Sequence, residues 1–189
     1  MDTAAFSVFF AVLSLACWGA TATVVVLAVI RWMRPASRLA FALDALADSG
    51  LWLAWLVAAV ATGGSLYYSQ VAHYQPCELC WLQRICMYPL AIVLLVGAIR
   101  RDRRVWPYVV PQVSIGALIA GYQTQLQAFP HQRSFCSALN PCTARYVWEF
   151  GFISLPFMAL AGFCFVLVVV LVTAETPRRN HLLAQIGAS

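Results

Sequence analysis

Long apolar runs separated by short polar stretches set the pattern of this chain. Five runs are long enough to cross a bilayer: Ala4–Ile30, Leu51–Ala72, Trp81–Ile99, Val105–Leu126 and Phe150–Val172. A hydrocarbon core of about 30 Å takes about 20 helical residues. Backbone groups in lipid must be satisfied within the segment, so each run is expected to be a helix. No alternating pattern supports a barrel, and there is no low-complexity tract or internal repeat. Proline inside a helix removes a hydrogen bond, so a kink is expected at Pro156 and similar perturbation at Pro89, Pro107 and Pro111.

Composition agrees with a membrane protein. Of 189 residues, 62% are hydrophobic and 10% charged, against about 45–50% and about 25% in a soluble domain. The net charge of +5 does not point to nucleic acid, because all 12 basic residues are arginine and most flank the apolar runs. Cytoplasmic loops carry the excess of arginine. Arg31, Arg34 and Arg38 follow the first run, Arg100, Arg101, Arg103 and Arg104 the third, and Arg178 and Arg179 the fifth. Only Arg84, Arg133 and Arg145 fall on the other side. This places the N-terminus outside and the C-terminus in the cytoplasm. The flank before the first run carries Asp2 and no basic residue, which fits an uncleaved helix better than a signal peptide.

The expected fold is an all-α integral membrane protein, with a four-helix transmembrane bundle and one extra N-terminal transmembrane helix. Residues 1–50 hold the extra helix and a cytoplasmic loop, 51–175 the bundle, and 176–189 a cytoplasmic tail. Within that loop, Pro35–Gly50 reads as a short amphipathic helix along the inner surface, with Leu39, Leu43 and Leu46 on one face and Gly50 closing it. A solvated linker is the alternative.

The chemistry is concentrated in cysteine. Cys77 and Cys80 form a Cys-x-x-Cys pair at the mouth of the third run, and Cys136 and Cys142 lie in the loop Gln127–Glu149 on the same outer side. Disulfides persist outside the cytoplasm. Three readings compete: structural staples, a four-thiolate zinc site, and redox-active pairs. A two-residue loop closes little chain entropy, so a Cys77–Cys80 bridge stabilises poorly, which favours the redox reading. Cys17, Cys86 and Cys164 fall within the runs and read as packing residues. Arg84 follows Cys80 by one turn, so the two share a helix face. An arginine just inside a bilayer is a functional candidate: it favours a nearby thiolate and can donate to a ligand carbonyl, and the alternative is snorkelling to the interface. Pro130, Asn140 and Pro141 make the second outer loop turn-rich, able to present a disulfide to a soluble partner. Trp148, Phe150 and Phe152 suit an interfacial aromatic belt. The histidines show no metal-ligand spacing, and no metal is expected.

The run Cys77-Glu78-Leu79-Cys80-Trp81-Leu82-Gln83-Arg84-Ile85-Cys86-Met87-Tyr88-Pro89-Leu90 resembles the signature of the DsbB family of disulfide-generating membrane proteins, in particular its BdbC-type branch. Trp148-Glu149-Phe150-Gly151-Phe152-Ile153-Ser154-Leu155-Pro156 resembles the same branch, and the likeness extends over roughly Leu66 to Val172. It implies a protein of the plasma (inner) membrane that reoxidises an extracytoplasmic DsbA-like dithiol protein of thioredoxin fold and passes electrons to a membrane quinone, ubiquinone or menaquinone. By resemblance, Cys136 forms the mixed disulfide, Cys142 is its pair, and Cys77 and Cys80 exchange with them. Cys80 faces the quinone beside Arg84 and Gln83. Gln123 stands where a histidine is familiar in the family; it can hydrogen-bond a quinone carbonyl but cannot titrate. The first run is extra to the family's four-span core. A vitamin K epoxide reductase-like protein is the rival enzyme, although in that family the active pair follows the loop cysteines. A non-catalytic membrane subunit with stapled loops is the rival of another class.

Overall fold

The computed structural model describes residues 3–33, 38–132, 136–137 and 140–187, with side chains left undescribed at 38–42, 44–46 and 176–187. Five helices follow one another: α1 Thr3–Met33, α2 Arg38–Gln70, α3 Glu78–Arg100, α4 Trp106–Ala128 and α5 Leu155–Gly187, with a 3₁₀ turn at Arg103–Val105 before α4. There are no strands among the described residues, only a single antiparallel bridge between Glu149 and Ile153.

Four helical stretches are long and apolar enough to cross a membrane: Thr3–Met33, Ala47–Gln70, Glu78–Arg100 and Leu155–Glu175. The expectation was five. The fourth run does form a helix, and at 23 residues it equals α3 in length. Its sequence carries Gln112, Gln123, Gln125 and Gln127, which lower its apolarity. Two of these, Gln123 and Gln127, are buried inside the protein. Glutamines that a helix turns toward its neighbours cost it hydropathy without exposing them to lipid.

Helices α2, α3, α4 and α5 form a ring in which each packs on the next, and α1 lies outside it against α5 and α2. The core between them is filled by Leu90, Leu94, Val109, Val113, Phe163 and Val166. Cys86 belongs to this core, and Cys17 packs against it.

The first loop corrects the sequence reading. From Arg38 onward there is neither a separate surface helix nor a linker before Gly50, because α2 runs unbroken from Arg38 to Gln70, while Pro35 lies outside the described residues. Leu43 is fully buried against Val24 of α1 and Val172 of α5. Gly50 sits in mid-helix, where a Cβ would come within 2.3 Å of the Thr173 hydroxyl. The glycine allows α2 and α5 to approach closely and does not end the helix. Leu39 and Leu46 lie among the residues whose side chains are not described.

The fifth helix begins later than the apolar run. Phe150 and Gly151 take left-handed backbone conformations, φ 52° and 81°, and the chain turns through the Glu149–Ile153 bridge before α5 starts at Leu155. Pro156 is therefore in the first turn, where a missing N–H costs nothing, and no kink is needed there. Pro107 is likewise at the start of α4, while α3 and α4 continue through Pro89 and Pro111.

Alternation of the helices gathers the arginine-rich segments at one end of the bundle and the cysteine pairs at the other. At the arginine end, buried Arg31 on α1 pairs with Glu175 on α5 at 3.7 Å, and Arg103 pairs with Asp48 on α2. At the cysteine end, Tyr74 stacks between Tyr68 of α2 and Tyr146 of the α4–α5 loop.

Candidate active site

Cys77 immediately precedes α3 with extended backbone, φ −78° and ψ 175°, and its carbonyl accepts from the Trp81 amide at 3.0 Å. Cys80 is in the first turn. This places the two sulfurs 3.0 Å apart, in thiol form, at the positive end of the helix dipole. Cys77 is 6% exposed. Its thiol is held above the usual cysteine range, first by its hydrogen bond with Cys80 and then by burial.

The α4 glutamines meet this pair. Gln123, 2% exposed, donates from Nε2 to Cys77 Sγ at 3.2 Å and to Cys80 Sγ at 3.4 Å. Its Oε1 accepts from Gln83 Nε2 at 2.7 Å. Buried amides must be paired, so the Gln83–Gln123 link fixes which end of Gln123 faces the sulfurs. One turn further along α4, Gln127 donates to the Ala144 carbonyl at 2.8 Å, and Arg145 donates back to the Gln127 carbonyl. The Arg145 guanidinium also sits 3.9 Å above the Trp148 ring. The loop is thereby fastened just after Cys142.

Cys136 and Cys142 are bonded to each other, with Cα atoms 5.9 Å apart. Cys142 is 1% exposed and clusters with Cys77, Leu79 and Leu126, while half-buried Cys136 and Cys80 pack at the edge of the same cluster. The fold thus brings all four sequence-predicted cysteines into one apolar patch. Glu78 joins them: its carboxylate accepts from the Ser137 amide at 3.2 Å and lies within 4.8 Å of both disulfide sulfurs. A four-thiolate zinc site would need Cys136 and Cys142 as free thiolates, and here they are spent on each other.

Arg84 is one turn down α3 from Cys80. Its guanidinium donates to Ser65 of α2 twice, to the hydroxyl and to the carbonyl, each at 3.0 Å. Tyr88 also reaches the Ser65 hydroxyl at 3.3 Å. Arg84 and Trp81 make a cation–π contact at 5.2 Å. Arg84 is thus partly buried and held against α2.

Cys80, Gln83 and Arg84 all line a cavity of about 620 Å³ bounded by α1, α2, α3 and α5, whose remaining walls are mostly apolar. Gln123 does not line it. It lies on the other side of the thiols, beside a small cavity of about 20 Å³ shared with Cys77, Cys80 and Gln127. Ser65, Glu78 and Gln127 carry parts of the site that sequence reasoning missed. Glu78 stood inside the Cys-x-x-Cys motif and Gln127 one turn beyond Gln123, but nothing marked Ser65.

A helical membrane bundle with two cysteine pairs packed together at one end is the arrangement of a membrane thiol–disulfide oxidoreductase. The sequence model of the disulfide bond formation protein DsbB matches residues 47–173, and the chain belongs to the DsbB family. Among curated relatives, disulfide bond formation protein C of Bacillus subtilis is 41% identical over 120 residues, covering 62% of this chain and 87% of its own. Probable disulfide formation protein C 2 of Bacillus cereus is 38% identical over 124 residues, covering 65% and 89%. A probable disulfide formation protein of Coxiella burnetii is 44% identical over 118 residues, covering 61% and 80%. No solved structure matches. The family match begins within α2, so α1 lies outside it.

Proposed function

We propose that this protein oxidises an extracytoplasmic dithiol protein of thioredoxin fold and passes the electrons, through its two cysteine pairs, to a membrane quinone. The observation that carries this reading is the position of Cys80. It belongs both to the patch holding the Cys136–Cys142 disulfide and to the wall of the large apolar cavity, next to Arg84.

In the first exchange, a thiolate of the partner attacks Cys136 and Cys142 leaves as thiolate. Exposure supports this direction, since Cys136 is half-buried and Cys142 is 1% exposed. The partner's second thiol then displaces Cys136, which releases the partner oxidised and leaves this pair reduced. In the second exchange, Cys142, packed with Cys77, attacks a closed Cys77–Cys80 disulfide and Cys80 leaves. Cys136 then displaces Cys77, so two electrons move inward and the loop disulfide is restored. Gln123, which donates to both sulfurs, holds the pair in place and favours thiolate on the leaving sulfur.

The cavity suits a quinone. Its volume lies in the usual range for small-molecule sites, about 300–1,000 Å³. Its walls are apolar, and a thiol and a guanidinium share one side. Arg84 uses two N–H groups on Ser65, which leaves others to donate to a carbonyl oxygen, and Gln83 stands beside it. With a quinone held there, the chemistry supplied is acceptance of two electrons and two protons as Cys77–Cys80 closes, leaving a quinol. The arginine-rich end would face the cytoplasm, all five helices would cross the membrane, and the cysteines would work on the outer side.

The test is quinone reduction by the purified protein supplied with a reduced thioredoxin-fold dithiol protein, comparing wild type with Cys80→Ser. Reduction by wild type alone is the expected result. No reduction by either, across ubiquinone and menaquinone analogues, would sink the reading.

A further inference from the structure

The quinone reading gives α1 no task, yet this helix is built into the site. Phe10 of α1 rests on Gly64 of α2, where a Cβ would meet the ring at 2.7 Å. The Tyr68 hydroxyl of α2 donates to Ser7 Oγ at 3.2 Å, and Cys17 Sγ donates to the Ala161 carbonyl of α5 at 3.4 Å. The residue next to Gly64 is Ser65, which holds Arg84. Leu13 and Ala16, between these fastenings, and Ala20, one turn past Cys17, line the same cavity as Cys80 and Arg84. Their exposure is therefore partly exposure to that cavity. The lining from Phe9 to Ala20 extends about 16 Å along α1. Arg84 is the one charged residue among those that line the cavity.

We propose that α1 seats the hydrocarbon tail of the quinone whose ring lies at Cys80 and Arg84, and that this added helix makes the site selective for long-tailed quinones. The proposal rests on the quinone reading above. A polar, reactive pocket at one end and an apolar helix face along the side match the two halves of such a molecule. The side chains on α1 are small or aliphatic at Leu13, Ala16 and Ala20, leaving room for a chain instead of filling the space. A lipid acyl chain shares the tail's chemistry but has no use for the thiol.

The experiment uses the full chain in lipid nanodiscs. Binding of a decyl-substituted benzoquinone, and of the same ring without a tail, is read from quenching of tryptophan fluorescence. Ala20→Phe fills the cavity from α1, and Leu13→Ala, which removes contacts instead, serves should the larger residue disturb folding. Wild type is expected to bind the tailed compound more tightly. Ala20→Phe should weaken the tailed compound about ten-fold and Leu13→Ala about three-fold, the ring alone changing by less than about two-fold, because only buried tail methylenes are lost. Equal weakening of both compounds, or of neither, overturns the proposal. So does native mass spectrometry showing a phospholipid released by Ala20→Phe without a tail-dependent change, which would make a lipid the occupant. Failure of wild type to bind either compound would refute the quinone reading and this proposal with it, whereas tight, tail-independent binding refutes this proposal alone.

Discussion

The two cysteine pairs are held by opposite means. Cys77 and Cys80 straddle the start of α3 and lie under Gln123, itself held by Gln83, so four side chains on two packed helices define their geometry. Cys136 and Cys142 are on the loop between α4 and α5, with Cys142 in the apolar patch and Cys136 at its edge. Beyond the disulfide, a bond from the Ser137 amide to Glu78 ties the forward side, while Gln127 and Arg145 fasten the side after Cys142. A site on packed helices keeps precise geometry, while a loop suits contact with another protein. On the proposed function this difference would divide the labour: the helix pair is held beside the cavity, and the loop pair would meet the partner through half-buried Cys136.

Cys136→Ser is the strongest test of that division. It should abolish oxidation of the thioredoxin-fold partner yet leave oxidation of a small dithiol such as dithiothreitol by quinone near wild type, because Cys77 and Cys80 are untouched. Loss of both activities would show that the pairs do not act in sequence. Gln123→Leu attacks the rigid pair. It strips both sulfurs of a donor and leaves the Gln83 amide buried without its acceptor, costing about 1–3 kcal/mol. Unfolding in a detergent titration would register that loss, and an unchanged midpoint would mean the glutamine pair contributes little. Ser65→Ala is gentler. It deletes the hydroxyl that accepts from Arg84 and Tyr88 while sparing the carbonyl, worth about 0.5–1.5 kcal/mol. The quinone KM should rise a few-fold with the partner KM unchanged, and steady-state kinetics with each substrate varied separates the two. Glu78→Gln should have the smallest effect. The amide oxygen still accepts from Ser137, so partner oxidation should stay within about two-fold, whereas Glu78→Ala, which removes the acceptor altogether, should slow it further.

Much of this was legible in the chain. Apolar runs located the helices because lipid rewards a continuous stretch of apolar side chains, and all four loop and motif cysteines met where the alternation of helices put them. What the runs could not show was where a helix continues beneath a polar segment. Pro35–Gly50 reads as a surface helix in isolation, but Leu43 and Gly50 are matched to α1 and α5, a tertiary fit with no local signature. The same holds for the start of α5, which the left-handed Phe150 and Gly151 delay, and for α4, where Gln123 and Gln127 face inward. In the site, Arg84 was visible as a charge beside a thiol, but its partner Ser65 lies nineteen residues earlier on another helix. Gln123 could be marked as a hydrogen-bonding residue. Its facing the sulfurs instead of the large cavity depends on Gln83 taking its oxygen.

The fastening of the loop behind Cys142 has a mechanical consequence. Tyr146 is stacked on Tyr74, which is stacked on Tyr68, and Arg145 is bonded to the end of α4. A partner bound covalently through Cys136 would therefore pull against a fixed post. Tension applied from outside would fall on the Cys136 side of the loop, while Cys142 kept its seat against Cys77. On the proposed relay, the loop would work as a latch held at its inner sulfur: it would yield toward the incoming protein while Cys142 stayed packed against Cys77.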